Sequence, residues 1–151
     1  MWKHYILFFL HKRLLHLESI IRKLEEEGVD LTGNFHVKLY VSVVRAMKLV
    51  RQDPTLDAYV QGNTLGKTHR DWRRIKQLLP DRYRLFFKFF SSDKSIFFAW
   101  LNDENTMRKK GATTDCYTVF SGMLASGTVP SDREGLGEKS VSTQSAVQKK
   151  E

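Results

Sequence analysis

Apolar and polar residues alternate between positions 83 and 89, as they do in a β-strand with two different faces. The odd positions are all aromatic or aliphatic, whereas the even positions hold Arg84, Phe86 and Lys88. A short polar turn separates this run from a second apolar run, residues 95–101. The pattern predicts an antiparallel hairpin that buries one aromatic face and carries cations on the other.

Two amphipathic helices are predicted before this hairpin. Residues 2–10 are rich in aromatic side chains and predict a strand that is buried on both faces. From Lys12 the apolar residues recur at helical spacing up to a stop signal at Gly28, and they do so again between residues 37 and 47. Two helices with a short connection pack antiparallel, so we expect both to cover one face of a sheet.

A third strand and a closing helix complete the predicted fold. If residues 72–78 are a strand, alternation places Trp72, Arg74 and Lys76 on the same face. Residues 115–125 predict a short C-terminal helix. The sequence therefore predicts an α+β fold, with a small antiparallel sheet, two N-terminal helices packed on one face and a short C-terminal helix.

The length of 151 residues allows one domain, which we place at residues 1–130. Residues 131–151 are rich in Ser, Gly, Gln, Lys and Glu, show no periodicity and predict a disordered tail. The single cysteine, Cys116, excludes an intramolecular disulfide and fits a reducing compartment. No apolar run approaches the roughly 20 residues of a membrane span, so we expect a cytoplasmic protein without a membrane partner.

Charge is the strongest compositional signal. The formal net charge is +8 and the pI is about 9.7. These values favour nucleic acid as a partner, followed by an acidic protein and then by an anionic membrane. Residues 67–88 contain eight Lys or Arg against two Asp, whereas residues 131–151 carry no net charge. The excess positive charge therefore belongs to the predicted sheet, where cations from two segments converge by strand parity.

Several catalytic chemistries are disfavoured by the spacing of the reactive residues. No two of the five histidines have metal-ligand spacing beside a carboxylate or cysteine, so no metal or other cofactor is predicted. The single cysteine has no recognisable histidine partner for thiol catalysis. Asp103 and Glu104 are adjacent, and on a regular element they point apart. A structural role, with backbone amides or with Arg108, is favoured over acid–base catalysis.

A convergent set of cations suits phosphate chemistry. Phosphoryl transfer depends on positioning and charge neutralisation, and arginine binds phosphate through paired hydrogen bonds. RNA supplies its own nucleophile, the 2′-hydroxyl, so a protein has to align it, remove its proton and stabilise the developing charge. Phe86, on the basic face, could stack on a base or cover the cations. The alternative for the whole set is a solvated basic surface.

Three motifs resemble the YhaV family, the toxin half of the PrlF–YhaV type II toxin–antitoxin systems. They are RYRLFFKF from residue 82, AWLNDENTMRKKG from residue 99 and TDCYTVFSGML from residue 114. Upstream, a Gly-x-x-Leu-Gly segment followed by Asp71, Trp72 and Arg74 fits the same pattern. The strong match covers about residues 62–132. The resemblance implies a RelE-like fold with a strand, two helices, antiparallel strands and a terminal helix.

The resemblance also implies which residues form the site. RelE-like ribonucleases carry a Lys-x-Lys strand, a Tyr-Arg-Leu strand, a later Arg and a Tyr near the last helix. Here these positions fall on Arg74, Lys76, Arg84, Arg108 and Tyr117. Because an arginine stands where the first lysine is expected, the general base would be Lys76 or Tyr117. The remaining residues expected to bind substrate are Lys67, His69, Arg73, Phe86, Lys88, Lys109 and Lys110.

The implied function is a toxin that cleaves mRNA as a metal-independent endoribonuclease, either free or on the ribosome, and thereby inhibits translation and growth. Attack by the 2′-hydroxyl would leave a 2′,3′-cyclic phosphate and requires no cofactor. The implied partners are mRNA and a cognate PrlF-like antitoxin of the AbrB type. The alternative is a non-catalytic toxin of the same fold, or an RNA- or ribosome-binding protein, that acts by binding a target.

Overall fold

Helices cover both faces of a five-stranded sheet in the computed structural model, which describes residues 2–141. The elements in chain order are β1 (Lys3–Leu7), α1 (Phe8–Glu26), α2 (Phe35–Gln52), β2 (Arg73–Ile75), β3 (Leu85–Phe90), β4 (Ser95–Leu101), α3 (Cys116–Ala125), α4 (Arg133–Glu138) and β5 (Ser140–Val141). Short 3₁₀ turns at Asp57–Tyr59 and Lys67–His69 lie in the long connection between α2 and β2. The predicted α+β class is confirmed.

The strands are arranged in the order β2-β3-β4-β1-β5. The predicted hairpin is confirmed, since β3 pairs antiparallel with β4 and β2 pairs antiparallel with β3. The prediction of a wholly antiparallel sheet was wrong, because β1 runs parallel to β4 with Lys3 opposite Ser95. Parallel neighbours need a long crossover connection, and the two helices after β1 provide it. The sheet is therefore mixed.

Both N-terminal helices lie on one face of the sheet, as predicted. Their buried residues join the inward side chains of the hairpin in one apolar cluster that includes Leu17, Val43, Phe87 and Phe98. Asn34 caps the start of α2, because its side-chain oxygen accepts hydrogen bonds from the backbone amides of residues 36 and 37. The amphipathic pattern of each helix thus meets the apolar face of the hairpin.

The first strand is shorter than predicted. β1 ends at Leu7 and α1 begins at Phe8, although the sequence favoured a strand over residues 2–10. Leu7 and Leu10 are both fully buried but lie in different clusters, on opposite faces of the sheet. The start of α1 has no side-chain cap, so the sequence contains no signal that separates the strand from the helix.

The other face of the sheet is also covered, which corrects the expectation that the hairpin buries only one of its faces. α3 packs Phe120 against Phe86 with ring centroids 4.4 Å apart, and Trp72 and Trp100 lie 5.1 and 5.8 Å from the Phe120 ring. Strand parity gives the face on which Phe86 lies, but it does not show which other element covers that face.

The first part of the predicted disordered tail is ordered. Residues 133–138 form α4, which buries Leu136, and β5 pairs with β1 so that Val141 lies opposite Ile6. The helix has two glycines and one buried apolar residue, so no periodicity was visible in its sequence. The rest of the predicted tail, residues 142–151, lies outside the described residues. Within residues 2–141, no helix is long and apolar enough to cross a membrane.

Candidate active site

Tyr117 gathers two arginines from different strands. It lies in the first turn of α3, and its hydroxyl oxygen accepts a hydrogen bond from Arg74 Nε at 3.0 Å and one from Arg84 Nε at 3.3 Å. Arg74 is on β2, whereas Arg84 immediately precedes β3. Strand parity predicted that these two cations converge, and in the structure both donate to the same hydroxyl oxygen.

Arg108 joins the same group from the loop after β4. Its guanidinium lies 4.7 Å from the centroid of the Tyr117 ring, in a cation–π contact. Arg108 Nη1 also donates to both carboxylate oxygens of Asp115 at 3.0 Å. The structure thus brings together four of the five predicted catalytic residues, which we call the arginine–tyrosine cluster: Arg74, Arg84, Arg108 and Tyr117.

Arg74 and Arg84 are each held by hydrogen bonds from only part of the guanidinium group. Arg74 Nη1 donates to the carbonyl of Ala58 at 3.0 Å, and Arg84 Nη1 donates to the carbonyl of Tyr83 at 2.9 Å. An arginine has five N–H donors, and the contacts within residues 2–141 engage Nε and Nη1 of each. Both residues are half-buried, and no hydrogen bond within residues 2–141 engages Nη2 of either one. This arrangement can bind an oxyanion.

Asp115 connects the arginine–tyrosine cluster to the start of α3, a role that the sequence interpretation missed. Its buried carboxylate accepts hydrogen bonds from the backbone amides of Tyr117 at 3.0 Å and Lys109 at 2.6 Å, in addition to the pair with Arg108. The sequence did contain one signal, because aspartate is a preferred residue immediately before a helix. The predicted structural role of Asp103 is confirmed, because its carboxylate accepts a hydrogen bond from the backbone amide of Asn105 at 2.9 Å. The alternative, a pair with Arg108, is not what forms, since Arg108 pairs with Asp115.

Asn102 is the second residue that the sequence interpretation missed. Its side chain is fully buried, and Oδ1 accepts the backbone N–H of Arg84 at 2.7 Å. Its Nδ2 donates to the carbonyls of Arg82 at 3.0 Å and Thr106 at 2.8 Å. Asn102 therefore connects two segments through hydrogen bonds: the backbone around Arg84 and the loop that precedes Arg108.

Lys76, the fifth predicted catalytic residue, lies just beyond β2 and is exposed. Its backbone amide donates to the side chain of Gln77 at 3.2 Å. No side-chain contact within residues 2–141 ties Lys76 to the arginine–tyrosine cluster. Its role as a base stays a prediction.

Two of the predicted substrate-binding residues are buried in the fold. Phe86 is 0 % exposed, so it has no surface on which a base could stack. Lys88 is 7 % exposed, and its ammonium donates to the carboxylate of Asp71 at 2.8 Å and to the carbonyl of Ser131 at 2.6 Å. Both predictions are corrected for the same reason, which is that α3 and the segment after it cover this face of the hairpin.

The other predicted substrate-binding residues lie away from Tyr117 or in exposed loops. Arg73 turns to the opposite face of β2 from Arg74, and its guanidinium lies 5.5 Å from the centroid of the Phe89 ring. His69 is half-buried. The remaining cations are exposed, and their contact with substrate stays a prediction: Lys67, Lys109 and Lys110.

Comparison with known proteins identifies the family. A family model described as "Toxin with endonuclease activity, of toxin-antitoxin system" matches residues 4–141. The chain belongs to the YhaV toxin family. This agrees with the motifs noted in the sequence around residues 82, 99 and 114.

Curated relatives give the same result over a shorter stretch. "Toxin YhaV" of Escherichia coli O6:H1 is 44% identical over 88 residues, which are 58% of this chain and 56% of the relative. "Ribonuclease toxin YhaV" of Escherichia coli K12 is 44% identical over 92 residues, which are 60% of this chain and 59% of the relative. The chain thus spans less than two thirds of the length of these relatives. No solved structure matches significantly.

Replacing Asn102 with alanine in this YhaV-family chain should cost about 2 kcal/mol in the free energy of unfolding, because it leaves partly buried backbone groups without partners. Thermal or urea unfolding checks this value. Replacing exposed Asn105 with alanine is the control, since its side chain takes no part in these bonds. If both variants were equally stable, Asn102 would not have the structural role described here.

Cys116 is not a catalytic thiol in this fold. The side chain is buried, and burial, followed by the charge of Asp115, raises the pKa of the Cys116 thiol to about 11. The reactive form of cysteine is the thiolate, so we expect iodoacetamide to modify Cys116 only after unfolding. Mass spectrometry of native and denatured protein at neutral pH checks this expectation. Rapid modification of the native protein would contradict it.

The same pKa shift predicts a loss of stability in alkaline solution. The folded-state pKa of Cys116, about 11, lies above its ordinary value of 9.0. The resulting stabilisation is therefore complete below pH 9.0 and is lost as the pH rises through about 11. The free energy of unfolding of wild type, minus that of Cys116→Ala, should thus fall over this range. Guanidinium titrations measure this difference, and a constant difference would contradict the assignment.

Proposed function

We propose that this chain is the toxin of a toxin–antitoxin system and that it cleaves RNA as an endoribonuclease. The observation that carries the proposal is the arginine–tyrosine cluster, which joins two strands, a loop and a helix around one phenol in a chain of the YhaV family. Three guanidinium groups in one place match the charge of a phosphodiester and the additional negative charge of its transition state.

Arg74 and Arg84 are proposed to bind the scissile phosphate. Each uses Nε and Nη1 within the protein and has no protein partner at Nη2 among residues 2–141, so its remaining N–H groups can donate to phosphate oxygens. Arg108 is fixed by Asp115 against Tyr117, and it supplies the third positive charge. The chemical step then requires that the 2′-hydroxyl lose its proton to a base.

In this step the 2′-oxygen forms a bond to phosphorus and the bond from phosphorus to the 5′-oxygen breaks. The products are a 2′,3′-cyclic phosphate and a 5′-hydroxyl end, and the departing 5′-oxygen takes its proton from solvent water. Tyr117 is only 5 % exposed and its oxygen already accepts two hydrogen bonds, which supports a role in aligning the arginines. We therefore assign the base to Lys76, whose side chain is exposed.

The partners follow from the family. We propose an mRNA substrate, either free or on the ribosome, and a PrlF-like antitoxin of the AbrB type that inhibits the chain in the cytoplasm. Family membership supports these partners, because the family model describes toxins of toxin–antitoxin systems. The basic charge of +8 also favours RNA as the substrate.

A labelled RNA oligonucleotide tests the proposed chemistry. We expect cleavage in the presence of EDTA, a cyclic phosphate on the upstream product, and protection when a single 2′-deoxy nucleotide replaces the nucleotide before the cut. If the oligonucleotide is cut only with ribosomes, the same substitutions are made in a short mRNA within a ribosome complex. Cleavage of the 2′-deoxy substrate would overturn the transesterification. Intact RNA in both formats, with growth arrest in cells, would favour a toxin that acts by binding.

A further inference from the structure

A groove lies on the face of the sheet opposite to the arginine–tyrosine cluster. β1, α1 and α2 enclose it, and its volume is about 740 Å³. The apolar side chains of its wall include Leu14, Leu15, Val44 and Met47. Nothing in the proposed RNA chemistry uses this surface.

The apolar part of the groove is unusually accessible to solvent. Leu15 on α1 is 51 % exposed and Val44 on α2 is 46 % exposed, and both line the groove. Two further apolar residues on the same helices, Phe8 and Val41, are 51 % and 38 % exposed. Contiguous exposed apolar surface that is rimmed by polar groups is typical of a binding site for another protein.

The rim of the groove is basic. It carries Arg22, Lys48 and Arg51, whereas Glu18 is its single carboxylate. That carboxylate is already engaged, because it accepts a hydrogen bond from the Tyr40 hydroxyl at 2.5 Å. Burial and then the Glu18 hydrogen bond raise the pKa of Tyr40 to about 12, so this donor keeps its proton at neutral pH. The groove therefore has three cations against one carboxylate, an excess of positive charge beside exposed leucine and valine.

Arg51 contributes a guanidinium group to the groove wall. Its Nε is buried, and within residues 2–141 this atom has no hydrogen-bond partner. His4 also lines the groove, and its pKa is lowered by burial and then by the charge of Arg51. This shift disfavours a second positive charge on His4, so Arg51 supplies the charge at this position. A ligand in the groove cannot reach the buried Nε atom. The terminal nitrogens of Arg51 have no hydrogen bond or salt bridge within residues 2–141, so they can donate to an incoming carboxylate.

We propose that this groove binds an acidic amphipathic helix from a partner protein, with its apolar stripe between α1 and α2 and a carboxylate at Arg51. The shape fits, because an amphipathic helix places its apolar residues into a groove at intervals of three and four positions. The charges are also complementary, since acidic residues beside the apolar stripe of the partner helix would face Arg22, Lys48 and Arg51. A second copy of this chain is disfavoured as the occupant, because its net charge of +8 would bring like charges together.

The assignment goes beyond the proposed function and does not depend on RNA cleavage. The groove is formed by the cluster that contains Leu17 and Val43, whereas Tyr117 belongs to the cluster on the other face of the sheet. A partner bound in the groove and an RNA bound at Arg84 would therefore occupy separate surfaces. Failure of either proposal leaves the other one open to its own test.

A synthetic helical peptide tests the groove directly. The probe is a fluorescein-labelled peptide about as long as α1, with Leu at positions i, i+3, i+4 and i+7 and with Glu on both flanks. Fluorescence anisotropy with the full chain measures its affinity. We expect saturable binding, and we expect a matched peptide with Lys in place of Glu to bind at least about tenfold more weakly.

Variants locate the binding. We expect Leu15→Glu and Val44→Glu each to weaken the acidic peptide about tenfold or more, and Arg51→Gln to weaken it severalfold. Val29→Glu is the matched control, since Val29 is 44 % exposed but does not line the groove. Circular dichroism verifies that each variant is folded. Arg51→Gln removes a charge instead of burying one, so it tests the groove even if a glutamate variant fails to fold.

Four results would overturn the proposal. They are the absence of saturable binding, equal binding of the Lys peptide, equal loss in the Val29→Glu control, and unchanged binding by all groove variants. Two further outcomes would assign the groove to another occupant. A dimer that Val44→Glu dissociates would indicate a second copy of the chain, and an RNA oligonucleotide that competes with the peptide would indicate nucleic acid.

Discussion

Replacing Arg84 with alanine is expected to lower the RNA-cleavage rate about 100- to 1,000-fold, the usual cost of removing one preorganised donor to a transition-state oxyanion. The fold should survive the change. Arg84 is half-buried, and the hydrogen bonds of its guanidinium within residues 2–141 are one to Tyr117 and one to the carbonyl of Tyr83. Single-turnover cleavage of a labelled RNA, with a thermal melt of the same sample, measures both quantities.

Two further variants make this result specific. Arg84→Lys keeps the charge but loses the fork, so we expect it to remain well below wild type. Arg45→Ala removes an exposed cation from α2, on the other face of the sheet, and should leave the rate unchanged. If Arg45→Ala lowered cleavage as strongly as Arg84→Ala, the effect would reflect net charge and not the arginine–tyrosine cluster.

Replacing Asp115 with alanine is expected to cost about 3 kcal/mol in the free energy of unfolding and most of the activity. The change removes the cap of α3, at about 1 kcal/mol, and leaves the partly buried guanidinium of Arg108 without its partner. Arg108 and Tyr117 would then lose the carboxylate that holds both of them. Urea unfolding gives the stability, and the RNA assay gives the activity.

Asp132 provides a matched control for this experiment. It caps α4 through a hydrogen bond to the amide of Gly135, but it is exposed, and no salt bridge within residues 2–141 involves it. Asp132→Ala should therefore cost only about 1 kcal/mol, the value of the cap alone. Asp115→Asn should fall between the two, because it keeps the cap and removes the charge. Equal costs for Asp115→Ala and Asp132→Ala would contradict the role assigned to Asp115.

Much of the fold followed from periodicity, because each N-terminal helix has one polar side and the side chains of the hairpin alternate between two faces. Gly28, whose φ is +70°, follows the end of α1, as expected. Asp115 directly precedes α3. The boundary between β1 and α1 was missed, since Phe8 and its neighbours suit both a strand and a helix. The parallel pairing of β1 with β4 was also missed, because pairing depends on contacts between distant segments that a local pattern does not contain.

The candidate site was predictable to a different degree for each residue. Strand parity alone placed Arg74 and Arg84 on one side, and the structure joins them at one hydroxyl. Tyr117 and Arg108 came from the family resemblance, because a helix and a loop have no fixed parity relative to a strand. Asn102 was missed because its role depends on buried partners that are distant in sequence.

The predictions that were wrong at the site share one physical cause. Alternation correctly placed Phe86 and Lys88 on the face opposite to Phe87, yet both are buried. α3 covers Phe86, and the carbonyl of Ser131 accepts from the ammonium of Lys88. The sequence of a strand gives the direction of each side chain, whereas exposure depends on what packs above it. A polar residue in an alternating pattern is therefore not by itself an indication of a free surface.

The most direct test of the central claim is primer extension on cellular mRNA after brief induction of wild type and of Arg84→Ala. We predict new 5′ ends with wild type alone, with equal amounts of the two proteins present. Ends confined to translated regions would show cleavage that is coupled to the ribosome, and ends throughout the transcripts would show a free ribonuclease. Growth arrest by wild type without any new ends, or identical cuts with Arg84→Ala, would contradict an endoribonuclease built on the arginine–tyrosine cluster.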